Sequence, residues 1–427
     1  MRRRTCDALI IGSGPAGLAA AVEARRSGAE RVLVIERNPE PGGILPQCIH
    51  NGFGVRVFGA DLTGPEYAAR WIAEAEAAGA EIVTDTMVLA LEPGPAAVVV
   101  GPKGGLARIT AGALVLAMGC RERPRGALAI PGTRPAGVYT AGAAQRLVNV
   151  EGYMPGRRFA ILGSGDIGMI MARRLTLEGG EVVGMFEILP AVSGLRRNLV
   201  QCVRDFDIPL HLCTTVTEVV GAERVEAVIT SQVDERWRPI PGTERTWPCD
   251  TLLLSVGLIP ENELSRMAGV ALDERTGGPL VDEGMATSVP GVFAAGNVVH
   301  VYDLVDDVTA SALRAGRFAA AYARDGAGAP GDAVRVEAGA HVHHVVPQRV
   351  HLGRLAEEAI PLQFRVRTPL ERAVHAEVRV GGETLLARRQ RYVRPSEMVT
   401  LSLQPEHAQA IAGADALEVC ITVEPDH

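Results

Sequence analysis

Ala8-Leu9-Ile10-Ile11-Gly12-Ser13-Gly14-Pro15-Ala16-Gly17 reads as a short apolar strand running into a G-x-G-x-x-G loop. The pattern returns at Ala160-Ile161-Leu162-Gly163-Ser164-Gly165-Asp166-Ile167-Gly168. Each loop opens a helix-like stretch, and a second apolar strand ending in glutamate follows: Val32-Leu33-Val34-Ile35-Glu36, then Val182-Val183-Gly184-Met185-Phe186-Glu187. Both glutamates lie 19 residues beyond the third glycine of their loop. Strand, loop, helix, second strand and acid in register make up the fingerprint of a dinucleotide-binding βαβ unit. Two copies in one chain leave little room for a glycine turn beside an incidental glutamate.

The residue types fit the chemistry. The first glycine of each loop, Gly12 or Gly163, permits the strand-to-helix turn. The second, Gly14 or Gly165, lets backbone approach a pyrophosphate, and the third, Gly17 or Gly168, lets helix pack on strand. Pro15-Ala16 and Asp166-Ile167 begin the two helices, whose free N–H groups and partial positive charge favour phosphate. Glu36 and Glu187 are placed to accept from adenosine ribose hydroxyls.

The chain has 427 residues and a formal net charge of −7, enough length for two or three domains and no basic excess for nucleic acid. No apolar run approaches the ~18 residues of a membrane span. The seven cysteines, Cys6, Cys48, Cys120, Cys202, Cys213, Cys249 and Cys420, show no C-x-x-C spacing. A disulfide framework and a metal centre built from local cysteines are therefore not expected, and the reading is a cytoplasmic protein with reduced thiols.

Outward from the loops, an amphipathic helix is expected over 64–78, with Tyr67, Trp71, Ile72 and Ala75 on one face. Each module ends in an apolar strand closed by glycine: Ala113 to Gly119, and Asp250 to Gly257. A third strand delivers Gly296-Asn297, and a helix is expected over 306–324. The glycine-rich linker 325–331 marks a boundary. Beyond it, alternation such as Leu362-Gln363-Phe364-Arg365-Val366-Arg367 predicts a small β-rich domain.

These residues resemble the two-dinucleotide-domain flavoproteins of the pyridine nucleotide–disulfide oxidoreductase superfamily. Ser255-Val256-Gly257-Leu258-Ile259-Pro260 and Ala294-Ala295-Gly296-Asn297 match its later motifs, with Asn297 where the family usually carries aspartate. Pro41-Gly42-Gly43 through Gly54 and Gly137 through Gln145 are similar to a subgroup that lacks the redox disulfide. That subgroup includes FAD subunits of opine oxidase, hydrogen cyanide synthase and dye-linked proline dehydrogenase, and an oxidoreductase associated with glycerol-3-phosphate dehydrogenase.

The resemblance implies an α/β fold of two Rossmann-like dinucleotide-binding domains, the second inserted in the first, plus a small C-terminal β-rich domain. The implied boundaries are 1–155 and 280–328 for FAD, 156–279 for NAD(H), and 332–427 for the C-terminal domain. The implied FAD residues are Gly12, Gly14, Pro15, Ala16, Gly17, Glu36, Arg37, Gly43, Ala117, Gly119, Gly296 and Asn297. Gly163, Gly165, Asp166, Ile167, Gly168, Glu187 and Gly257 are the implied NAD residues. Glu187 favours NAD(H) over NADP(H), because a carboxylate repels a 2′-phosphate.

Cys48 and His50 follow Gly42-Gly43 and are the candidate catalytic pair, against a reading as structural thiol and histidine. His341-Val342-His343-His344 reads as a solvated or packed histidine cluster rather than a metal site. Eight arginines between Arg365 and Arg394 form either a docking face for an acidic partner or a salt-bridged surface. The leading function is an FAD-dependent oxidoreductase exchanging hydride with NAD(H) and trading electrons with a partner dehydrogenase or small acceptor. A second copy of the chain is a further partner. The alternatives are a thioredoxin-reductase-like disulfide reductase and a non-catalytic flavin-binding assembly subunit.

Overall fold

The apolar strand before the first glycine loop becomes the centre of a sheet. In the computed structural model, which describes residues 1–326 and 332–424, Arg2–Ile11 pairs in parallel with Val32–Ile35 on one side and Gly105–Leu116 on the other. Glu81–Val83 extends the sheet beyond Val32–Ile35, and Val292–Ala294 adds a parallel strand against Gly105–Leu116. Ala96–Gly101 and Met87–Glu92 complete it as an antiparallel meander. Ala8, Leu9 and Ile10 are fully buried, as expected of a strand covered on both faces.

The Pro15–Arg26 helix packs its alanines against the Val305–Asp325 helix, where Gly316 is required: a Cβ there would lie 2.3 Å from Ala20 O. The Gly64–Ala77 helix matches the sequence expectation. It opens on a capping box in which Thr63 accepts from Glu66 N and the Glu66 carboxylate accepts from Thr63 N.

The chain divides into two compact units, 1–120 with 260–427, and 121–259. The insertion of one module within the other is as expected, but its limits differ from 156–279. Val138–Thr140 pairs with Thr251–Leu254, which places it in the second sheet, ordered Val138–Thr140, Thr251–Leu254, Arg158–Leu162, Glu181–Phe186 and Leu210–His211. At the other limit, Asn262 Nδ2 donates to Gly277 O and Val298 O, holding residues from 260 onward in the first unit.

The linker expected over 325–331 falls, from 327 to 331, outside the described residues. Beyond it lie two small sheets. One is ordered Arg349–His351, Ala333–Ala338, Ala416–Val423, Val374–Val380 and Glu383–Gln390; the other Val342–Val346, Ile360–Val366 and Val399–Leu403. Leu362, Phe364, Val374, Val378 and Leu417 give this region its own core. It nevertheless forms one compact unit with the first module, not the free-standing body that its sequence pattern suggests. Among the described residues, no helix is long and apolar enough to cross a membrane.

Candidate functional site

The glycines of the first loop serve different ends, and the geometry separates them. A Cβ on Gly17 would lie 1.7 Å from Gly12 O, and one on Gly12, at φ +100°, would lie 2.5 Å from Ala117 O. Those two glycines are demanded by the protein's own packing. Gly14 is not: it has φ −69°, and a Cβ there would meet only Gly43 Cα, at 3.8 Å. A residue kept as glycine where the protein itself has room fits an incoming ligand, as a pyrophosphate against backbone requires.

The rest of the first site is built around that opening. Gly42 N donates to Ser13 O at 2.9 Å, drawing Gly42-Gly43 onto the loop. Gly43, at φ +61°, approaches so closely that a Cβ would lie 2.7 Å from Gly14 Cα. Glu36 is 4 % exposed, and its Oε2 accepts from Ser13 N (2.9 Å) and Ser13 Oγ (2.7 Å). Its Oε1 accepts from Asn38 N at 2.8 Å and retains acceptor capacity. Gly296 is wedged beside the Pro15–Arg26 helix, where a Cβ would lie 2.8 Å from Ala16 Cβ. Asn297 Oδ1 accepts from Tyr302 N at 3.1 Å and Nδ2 donates to Cys120 Sγ at 3.6 Å, so the amide organises its own turn. Ala117 N donates to Ile11 O, Gly119 O accepts from Glu261 N, and Arg37 is exposed. The cradle fits the adenosine and pyrophosphate of FAD.

The second site repeats the design within the other unit. A Cβ on Gly163 would lie 2.1 Å from Ser255 O, and one on Gly168 2.7 Å from Ser255 Cβ. At Gly165 a Cβ would lie 3.2 Å from Ser255 Oγ, which accepts from Gly168 N, and 3.5 Å from Ser255 O. Glu187 Oε2 accepts from Ser164 N (2.9 Å), Ser164 Oγ (2.5 Å) and Ser193 Oγ (3.0 Å), and Oε1 from Leu189 N (3.0 Å). The Asp166 side chain organises the loop that follows the second strand. Its Oδ1 accepts from Leu195 N (2.8 Å) and Asn198 Nδ2 (2.6 Å), holding the segment that carries Arg196 and Arg197. Ile167 follows in the first turn of the Asp166–Leu177 helix, and Gly257, at φ +96°, accepts from Arg123 N.

Sequence reasoning missed the serines. Ser13 and Ser164 are fully buried, each giving two hydrogen bonds to its glutamate. The signal was present: both loops read Gly-Ser-Gly. Gly42-Gly43 and Ser193-Gly194 also stand six and seven residues beyond their glutamates, so the repeat runs further than the loops.

Cys48 and His50, the candidate catalytic pair, each bond a nearby backbone carbonyl. Cys48 Sγ donates to Ile44 O at 3.5 Å, and burial pushes its pKa up to about 12. His50 Nδ1 pairs with Asn51 O, and its ring packs on Phe53. All seven cysteines are free thiols. His344 is buried and hydrogen-bonded to His343, which is the packed arrangement. Several residues of the arginine-rich stretch are salt-bridged: Arg365 to Asp303, Arg379 to Glu377, Arg389 to Glu424 and Arg394 to Glu371.

Asp282, Glu283 and His351 converge closely enough to suggest a metal site. Arg354 already supplies the cation there, 3.0 Å from Glu283, and Asp282 Oδ1 accepts from Gly284 N and Ala286 N. Burial raises the Asp282 pKa. Glu283 is pushed the same way by burial but ends below the usual range, through the His351 hydrogen bond and the charges of His351 and Arg354. The cluster is an ion-pair network joining the C-terminal region to the first module.

Residues 6–316 match the family model described as pyridine nucleotide-disulphide oxidoreductase. The chain belongs to that family. Its members bind FAD and use NAD(P). An opine oxidase subunit of Agrobacterium tumefaciens (strain Ach5) is 33 % identical over 315 residues, covering 68 % of this chain and 61 % of the relative. The chain thus spans less than two thirds of that relative's length. Thioredoxin reductase of T. acidophilum shares the fold with a TM-score of 0.61 at 24 % identity, over 75 % of this chain and all of that one. A NAD-dependent persulfide reductase from A. fulgidus is similar over 96 % of this chain and 76 % of its own, with TM-score 0.58 at 18 % identity. The C-terminal region thus falls largely within a fold likeness too.

Proposed function

We propose that the chain is an FAD-dependent oxidoreductase that exchanges hydride with NAD(H). It would trade the electrons with a partner dehydrogenase or small acceptor. The observation that carries this reading is the pairing of two loops whose first and third glycines are demanded by the protein's own packing. Each loop faces a buried glutamate held by its own serine. FAD, when bound, supplies the hydride-accepting ring, so no side-chain nucleophile is needed. The chain's own work is to hold and orient. Gly14 and Gly43 admit the pyrophosphate, Glu36 takes a ribose hydroxyl, and the start of the Pro15–Arg26 helix offers N–H groups to phosphate. Glu187 supports NAD(H) over NADP(H), since its carboxylate would lie against a 2′-phosphate. The opine oxidase relative is by name one part of a larger enzyme, which supports a heteromeric partner.

A disulfide-reductase function would need a second thiol, and no cysteine stands at C-x-x-C spacing from Cys48. The test is Gly165→Val in the full chain. FAD should remain bound while NADH no longer bleaches it at ordinary concentrations. Undiminished bleaching would remove the second loop from the reaction.

A further inference from the structure

The turn between Asn297 and the Val305–Asp325 helix is gripped by residues far downstream. Arg365, on the Ile360–Val366 strand, donates to Asp303, 62 residues earlier, and to Val301 O at 3.0 Å. A second guanidinium nitrogen donates to Pro395 O at 2.9 Å, and Asp303 Oδ2 accepts from Met398 N at 2.6 Å. The two side chains are only 17 % and 16 % exposed. Between these clamps His300 is buried, its ring 4.1 Å from Tyr302 and 5.7 Å from His344 of the Val342–Val346 strand. On the inner side, Asn297 Oδ1 holds Tyr302 N, and Ser311 Oγ accepts from Gly296 N at 3.1 Å. One face of the turn thus meets the flavin cradle, and the other is locked by the C-terminal sheets.

A buried ion pair adds little net stability over apolar residues of the same volume, but it accepts only one arrangement of its partners. A guanidinium fork against a carboxylate and two carbonyls is a strict positioning device. We propose that Arg365 is a positioning residue for the flavin site: through Asp303 the C-terminal region fixes the 297–304 turn, and with it the affinity and reduction potential of bound FAD. This rests on the first loop's being the FAD site.

The test uses the full chain, stripped of flavin and titrated with FAD, followed by dye-equilibrated reduction of the reloaded protein. Arg365→Gln and Asp303→Asn should each weaken FAD on the order of tenfold, equivalent to about 1.4 kcal/mol. The potentials should move in opposite senses. Arg365→Gln leaves an unpaired carboxylate that disfavours the anionic reduced flavin and lowers the potential. Asp303→Asn leaves an unpaired cation and raises it. The double variant should be no weaker than either single, since both remove one link. Arg365→Lys, which keeps charge without the fork, should recover the potential better than the affinity. It also carries the test if Arg365→Gln fails to fold. Folded variants, checked by circular dichroism, with unchanged affinity and potential would overturn the proposal. Gly14→Val is the control: if that chain still binds FAD fully, the reading of the first loop fails instead.

Discussion

Glu36 and Glu187 show what one side chain does in two settings. At Glu36 a side-chain donor is Ser13, whereas Ser164 and Ser193 both donate from their side chains at Glu187. Both acids and their spacing were plain in the sequence, because the ribose contact needs an acid at a fixed distance from the glycines. Cys48 and His50 were less legible for the opposite reason: reactivity depends on burial and partners, which spacing does not encode. The histidines of the C-terminal region give a prediction at this scale. Burial first, then His343 and Arg365, push the His344 pKa down from 6.5 to about 4; Asp273 opposes them, and Arg275 adds to the lowering. Between those values the unfolded chain binds a proton that the folded chain refuses. Stability should therefore be intact above the unfolded value and fall as pH drops from 6.5 towards about 4. One such group contributes at most about 3 kcal/mol. His300, also pushed well down by burial, adds a loss of the same sign. Urea midpoints measured across this window should show the decline, and His344→Phe should flatten it. A wild-type midpoint that is constant from neutrality to pH 4 would refute the assignment.

Among the elements, the two glycine loops separate packing from binding. Gly17→Ala places a methyl 1.7 Å from Gly12 O, and Gly14→Val adds its side chain where the protein has space. Gly17→Ala should lower the melting temperature or abolish folding. Gly14→Val should melt close to wild type yet purify colourless. The reverse pattern, a stable colourless Gly17→Ala and an unfolded Gly14→Val, would contradict the division of labour. The strand–loop–helix units were legible because each is a local pattern of fixed period. The module boundary was not. Val138–Thr140 is a three-residue strand whose sheet partner, Thr251–Leu254, lies more than a hundred residues away. No local signal announces which sheet so short a strand joins.

Across the whole molecule, the glycine linker points to a separate C-terminal β-rich domain, and the structure gathers that region into one compact unit with the first module. Alternation found its strands and its core but not its anchors. Arg365–Asp303, Arg354–Glu283 and His351–Glu283 bind it to the first module through pairs that sequence cannot match. Arg365, Arg379, Arg389 and Arg394, among the arginines expected to steer a partner, are paired with acids. The central claim is hydride exchange between NAD(H) and FAD without a redox disulfide. Anaerobic titration of the FAD-loaded protein with NADH, followed by flavin absorbance, tests it most directly. The account predicts complete bleaching with one NADH per flavin, unchanged in Cys48→Ser. A requirement for two NADH per flavin, falling to one in Cys48→Ser, would contradict it, as would a flavin that dithionite reduces and excess NADH does not.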